Sequence, residues 1–143
     1  MDQLQYRIRR GKELDFPFVF NSFLKSYKTY NPLAKIAENG PYYSIYHKQL
    51  EKHLVEGELD IACLADDPEA ILGWALTIPH KPNRQIVYTY IKSLYRSQGI
   101  ASSLLEPQVK DKEGVGYLYS TQPGEKLLKA LSVQYDVAFY FVT

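Results

Sequence analysis

The second half of the chain alternates between β-rich runs and helical runs, and this alternation limits the possible folds more than any other feature. Strands joined by a helix are usually parallel, because the crossover returns the chain to the same end of the sheet. The pattern predicts strands at 85–94, 117–121 and 137–142, a helix that opens at Gly99 and stops near Pro107, and a last helix from Pro123. This half therefore predicts parallel pairing.

The first half predicts strands that are joined by turns. The predicted helices lie at about 14–28 and from Tyr42 to near Gly57, with a helical turn at 33–36 between them. The predicted strands lie at 6–9, 59–65 and 71–78, the last two joined by a hairpin turn at 66–69. The order β-α-α-β-β-β-α-β-α-β predicts one α/β domain over residues 1–143, with a mixed sheet and helices on both faces.

Composition limits the partners and the cofactors. The net charge of +1 gives no global field for nucleic acid or an anionic membrane, and the scattered Lys25, Lys28 and Lys35 are expected to be solvated. Cys63 is the only cysteine, so no internal disulfide forms, and its apolar neighbours predict burial. No spacing of histidines and carboxylates predicts a metal site. Without a leader pattern or an apolar run near the roughly 20 residues that cross a bilayer, the cytoplasm is the expected compartment.

Residues 96–101 place a glycine between a predicted strand and a predicted helix. The first turn of a helix leaves N–H groups unpaired, and the helix dipole favours an anion there. Gly99 lets such a group approach the backbone closely, and the small side chain of Ala101 keeps the next turn clear. The segment predicts a phosphate-binding turn, and the alternative is a strand-to-helix turn that binds no ligand.

This strand–loop–helix segment resembles motif A of the GCN5-related N-acetyltransferases (GNATs). Arg96, Gly99 and Ala101 fill the family pattern of Gln or Arg, two residues, Gly, one residue, then Gly or Ala. The resemblance extends to the order of elements and implies acetyl-CoA as co-substrate, with its pyrophosphate on the motif and its pantetheine arm on the preceding strand. The binding residues that it implies are Tyr90, Ile91, Lys92, Arg96, Ser97, Gln98, Gly99, Ile100 and Ala101.

A narrower resemblance is to small GNAT-like proteins that bacteriophages and prophages encode. Segments 21–27, 42–47 and 71–74 carry it, together with residues 90–92 ahead of Tyr95 and Arg96. This resemblance implies an origin for the chain and leaves its substrate open.

Proton transfer is the part of the implied reaction that the sequence leaves open. Many GNATs have a glutamate base on the fourth strand, whereas residues 86–92 contain no carboxylate. The candidate base is His47, near the acceptor side of the implied fold, and the alternative is a surface histidine. Tyr135 stands roughly where the family has the tyrosine that protonates the leaving thiolate, although Ser120 or Thr121 replaces the usual asparagine of the fifth strand. The alternative for Tyr135 is packing at a helix end.

Three functions are compatible with these residues. The leading hypothesis is an acetyl-CoA-dependent N-acyltransferase that acts on a small-molecule or protein amine. The second is a CoA-binding module without catalysis, and the third is a phage nucleobase-modifying enzyme, against which the low net charge argues. The sequence leaves a monomer or a homodimer open.

Tyrosines of the first two predicted helices form either an aromatic wall of the acceptor cleft or part of the core: Tyr27, Tyr30, Tyr42, Tyr43 and Tyr46.

Overall fold

The computed structural model describes residues 4–141, which form six strands and five α-helices, with short 3-10 helices at Glu13–Asp15 and Ser93–Tyr95. The strands are β1 (Tyr6–Arg10), β2 (Glu58–Leu64), β3 (Asp67–His80), β4 (Asn83–Ile91), β5 (Gly114–Tyr117) and β6 (Ala138–Phe141). The helices are α1 (Phe16–Tyr30), α2 (Pro32–Ile36), α3 (Asn39–Glu56), α4 (Ile100–Val109) and α5 (Gln122–Tyr135). Among these residues, no helix is both long enough and apolar enough to cross a bilayer.

All six strands belong to one mixed sheet, in the order β1-β2-β3-β4-β5-β6. The pairs β1–β2, β2–β3 and β3–β4 are antiparallel, whereas β4–β5 and β5–β6 are parallel. Helices α4 and α5 are the crossovers of the parallel half, as a parallel pair requires. The predicted fold class and order of elements are confirmed, with α2 in place of the predicted helical turn.

Apolar side chains cover both faces of the sheet. On one face, α1 and α3 bury Val19, Phe23 and Leu50 completely. On the other face, α4 and α5 bury Leu104 and Leu131. Each such side chain contributes about 1.5–3 kcal/mol when it leaves water, so these two layers hold the helices against the sheet. Coverage on both faces is also as predicted.

Several of the aromatic residues belong to this core and not to a ligand site. Tyr27 and Tyr42 are buried, and the Tyr42 hydroxyl donates a hydrogen bond to the Leu24 carbonyl oxygen at 2.6 Å. Trp74 is completely buried, and its Nε1–H donates to Ser22 Oγ at 2.8 Å. For Tyr27 and Tyr42, core packing is the alternative that the structure supports.

Several predicted boundaries are wrong, among them the hairpin turn at 66–69, where β3 already begins at Asp67. β5 occupies Gly114–Tyr117 and not 117–121. The next two residues keep one backbone bond each to β4, and the chain then turns so that Thr121 can cap α5 through a bond from Gly124 N–H at 3.2 Å. α4 continues through Pro107 to Val109, since a proline near a helix end removes only one donor. The predicted loop at 79–84 shortens to the turn between β3 and β4.

Candidate functional site

The strands β4 and β5 separate part-way along the sheet. They pair over Arg84–Ile86, and two further bonds join Leu118 N to Ile86 O at 2.9 Å and Tyr119 N to Val87 O at 3.3 Å. β4 then continues to Ile91 beyond its last described bond to the β5 side. The two strands therefore form a fork that is open toward the start of α4.

A cleft of about 400 Å³ occupies this fork, between the end of β4 and the first turns of α4 and α5. It brings together seven of the nine residues predicted to bind the coenzyme. The other two do not line it: Gln98 is exposed, and the Lys92 ammonium lies 5.2 Å from the ring centre of Phe18. The seven are Tyr90, Ile91, Arg96, Ser97, Gly99, Ile100 and Ala101.

The glycine turn at the mouth of the cleft is open. Gly99 has φ +80°, in the left-handed region that favours glycine, and a Cβ built on it would meet no atom within 4 Å. No side chain caps α4, so the first-turn amides of Ile100, Ala101 and Ser102 have no acceptor within the helix. These amides and the positive end of the helix dipole form a site that an anion can occupy.

Comparison with known proteins supports the fold. No protein-family model matches the chain, and no curated protein matches it in sequence. A solved structure from Corynebacterium glutamicum, described as histone acetyltransferase HPA2 and related acetyltransferase, is 19% identical with a TM-score of 0.63, over 90% of this chain and 84% of that one. The PaiA N-acetyltransferase of Thermoplasma acidophilum in complex with coenzyme A is 15% identical with a TM-score of 0.54, over 91% and 76%. The chain has the GNAT fold. At these identities the likeness establishes the fold alone.

Two tyrosines that the sequence interpretation missed line the cleft of this GNAT fold. Tyr88 is buried with its hydroxyl 2.8 Å from Ser26 Oγ, and burial raises the pKa of Tyr88. Burial also raises the pKa of Tyr117 to about 12, against the opposing effect of a hydrogen bond with Thr121. Both phenols are therefore protonated at neutral pH and can donate.

A signal for these two residues existed only in part. Tyr88 stands two positions before Tyr90 on a strand already assigned to the ligand, and alternation would have placed the two on one face. Tyr117 could not be placed, because the predicted strand began where β5 ends.

The structure does not bring His47 or Tyr135 to the cleft of the GNAT fold. The His47 ring stacks on Phe20 at a centroid distance of 4.1 Å, and its Nδ1 lies 2.9 Å from Glu51 Oε1, in a separate groove between α1 and α3. Tyr135 ends α5, where its hydroxyl accepts a hydrogen bond from Gln134 Nε2 at 3.1 Å. Neither residue lines the cleft.

The charges of the cleft favour an anionic ligand. Arg96 and Lys126 line it, and no carboxylate or histidine does so among the residues that the structure describes. Within residues 4–141, no group of three or more His, Cys, Asp or Glu side chains could hold a metal ion. The cleft can therefore attract phosphates and donate protons, but it offers no strong base.

Proposed function

We propose that this protein is an acetyl-CoA-dependent N-acyltransferase that acts on an amine acceptor. The observation that carries this proposal is the uncapped first turn of α4, with open space at Gly99, at the mouth of the cleft. A pyrophosphate satisfies several orphan amides at once and gains from the helix dipole.

The fork between β4 and β5 suits the pantetheine arm. Lys92 N–H donates to Leu72 O of β3, so in an antiparallel pair the backbone groups of Ile91 and Thr89 point away from β3 and into the fork. Ile91 O already accepts a hydrogen bond from Arg96 Nε at 3.0 Å. The amides of an extended arm can pair with this strand as a neighbouring strand would.

The reaction forms the bond between the acceptor nitrogen and the acyl carbon, and it breaks the bond between that carbon and sulfur. Because no carboxylate or histidine among the described residues lines the cleft, the amine attacks in its neutral form and loses its proton to water. Tyr117 donates the proton that the leaving thiolate takes up, and water then reprotonates Tyr117. Tyr135 and His47 have no role in this scheme, since both lie outside the cleft.

Calorimetry with acetyl-CoA, using a matched pair of glycine variants, tests the proposal. Gly99→Glu places a carboxylate where the pyrophosphate would bind and should abolish binding, at a cost in stability of about 1 kcal/mol for the left-handed residue. Gly40→Glu is the control, because a Cβ there also meets no atom within 4 Å and Gly40 lies on α3. Wild-type affinity in Gly99→Glu would exclude this site.

A CoA-binding module without catalysis is the second candidate. The observation that favours it is the lack of a carboxylate or histidine among the described residues that line the cleft. Saturable binding of acetyl-CoA, with no transfer to a panel of small amines, proteins and DNA, would select the module. Transfer to any one of them would select the enzyme and would identify the class of acceptor.

A further inference from the structure

The hydroxyl of Thr89 is a buried polar group that lacks a partner. Three buried polar side-chain atoms make no hydrogen bond to any residue that the structure describes, namely His53 Nδ1, Arg84 Nε and Thr89 Oγ1. Of the three residues, Thr89 is the one that lines the cleft. Buried hydroxyls are nearly always hydrogen-bonded in folded proteins, so an unpartnered hydroxyl on a residue that lines a cleft points to a ligand atom.

The position of Thr89 indicates which part of the ligand that atom belongs to. Thr89 lies two residues beyond Val87, whose carbonyl accepts the last described bond from the β5 side, so it stands at the base of the fork. Its neighbours Tyr88 and Tyr90 pack on the α1 face, so the alternation of a strand turns the Thr89 side chain toward α4 and α5. Tyr117 lines the cleft on that same side.

We infer that the Thr89 hydroxyl donates a hydrogen bond to the leaving sulfur of the acyl thioester, an assignment that rests on the proposed function. A threonine hydroxyl has one proton to donate and does not lose it to a thiolate. A thioester sulfur accepts weakly and a thiolate accepts strongly, so the bond strengthens as the carbon–sulfur bond breaks. The hydroxyl stabilises the thiolate until Tyr117 delivers its proton. Thr89 is thus a catalytic residue that acts in the transition state.

Three variants test this assignment in the full chain. Thr89→Val keeps the shape and removes the hydroxyl, so kcat should fall by about 10- to 100-fold while KM for acetyl-CoA stays within about twofold. Thr89→Ser restores the hydroxyl and should restore kcat. Thr77→Val is the control, because Thr77 is buried in β3 and accepts a bond from Arg84 Nη1 at 2.8 Å away from the cleft. It should lower thermal stability and leave kcat unchanged.

A second measurement does not depend on turnover. Titration of bound CoA by the ultraviolet absorbance of its thiolate should show a thiol pKa that is about one unit higher in Thr89→Val than in wild type, the equivalent of a tenfold change. Thr89→Val should also melt no lower than wild type, because its hydroxyl has no protein partner to lose. A purely structural role for Thr89 would lower the melting temperature and leave the thiol pKa unchanged.

The outcomes separate this inference from the proposed function. Equal kcat and equal thiol pKa in wild type and Thr89→Val, with CoA bound by both, would overturn the role of Thr89 and leave the function standing. A wild-type protein that binds CoA without turnover would still decide the inference through the thiol titration. A wild-type protein that binds no CoA would overturn both together.

Discussion

Arg96 and Tyr30 form a bridge at the rim of the cleft, where Arg96 Nη1 donates to the Tyr30 hydroxyl at 3.1 Å and the guanidinium carbon lies 5.6 Å from the ring centre. Tyr30 is the last residue of α1, and both residues line the cleft. The Arg96 side chain is therefore held toward α1 and β4. It leaves the first-turn amides of α4 as the groups that meet the anion.

The first prediction is that Arg96 contributes less to acetyl-CoA binding than the glycine turn does. Arg96→Ala removes one exposed charge and should weaken binding only about five- to tenfold, since exposed charges are screened by water and salt. Tyr30→Phe keeps the ring and removes the acceptor, so its loss should be smaller still. Calorimetry checks both variants, and a loss in Arg96→Ala as large as that in Gly99→Glu would contradict the prediction.

The second prediction concerns the proton donor. Tyr117→Phe should lower kcat by about 100-fold, the usual contribution of a positioned general acid. Tyr135→Phe is the matched control and should leave kcat within about twofold, because Tyr135 lies outside the cleft. Because the pKa of Tyr117 is about 12, the rate should show no decline from its ionisation between neutral pH and about pH 10. The reverse ranking of the two variants would restore Tyr135 as the donor.

Much of the fold could be predicted because local pattern and topology agree. Helical runs of 3.6-residue period between β-rich runs predict crossover helices. Gly99, which has φ +80°, marks the turn at which α4 begins. The strand β5 was misplaced because Gly114 and Gly116 give this buried strand a local sequence that is typical of a loop. Only pairing with β4 and β6, which is a tertiary contact, identifies it.

The backbone groups of the site could be predicted from the sequence, whereas its proton donors could not. Amide groups at residues 97–101 follow from the element boundary alone. Which tyrosines face the cleft depends on where β4 and β5 separate, and no local pattern records that separation. Lys28 shows the same limit, because it stands among lysines expected to be solvated and instead binds carbonyl groups of a neighbouring helix.

The third prediction is a dependence of stability on acid. Asp15 is the N-cap residue of α1, but its side chain makes no cap hydrogen bond. Its carboxylate instead accepts Arg9 Nη1 and Nη2 at 2.8 Å each and Lys12 N–H at 2.9 Å. The hydrogen bonds from Arg9 hold the pKa of Asp15 below its ordinary value of 3.8. The unfolded chain therefore takes up this proton first, so the stability from Asp15 is complete well above pH 3.8 and is lost as the pH falls below it.

Two variants test this dependence. Asp15→Asn should lower the free energy of unfolding at neutral pH by about 2–3 kcal/mol, because it breaks charge-assisted bonds at a buried group. It should also reduce the slope of stability against pH in the acid range. Glu13→Gln removes an exposed carboxylate two residues away and should change neither quantity. Parallel acid slopes in wild type and Asp15→Asn, from urea unfolding at several pH values, would show that Asp15 is not the titrating group.

The fourth prediction concerns Lys28, whose ammonium donates to Ala34 O at 2.9 Å and Ala37 O at 2.5 Å and lies 4.9 Å from the ring centre of Tyr42. These carbonyls lie at the C-terminal end of α2, where a positive charge also interacts favourably with the helix dipole. Lys28→Met keeps the aliphatic stem and removes the charge, so stability should fall by about 1–2 kcal/mol and α2 amides should exchange faster. Lys25→Met, at an exposed position on α1, is the control. Asn31 Nδ2, at the start of α2, donates to Ser120 O ahead of α5 at 3.0 Å, so the faster amide exchange should extend to the first turn of α5. An effect on α5 no larger than that of Lys25→Met would refute this coupling.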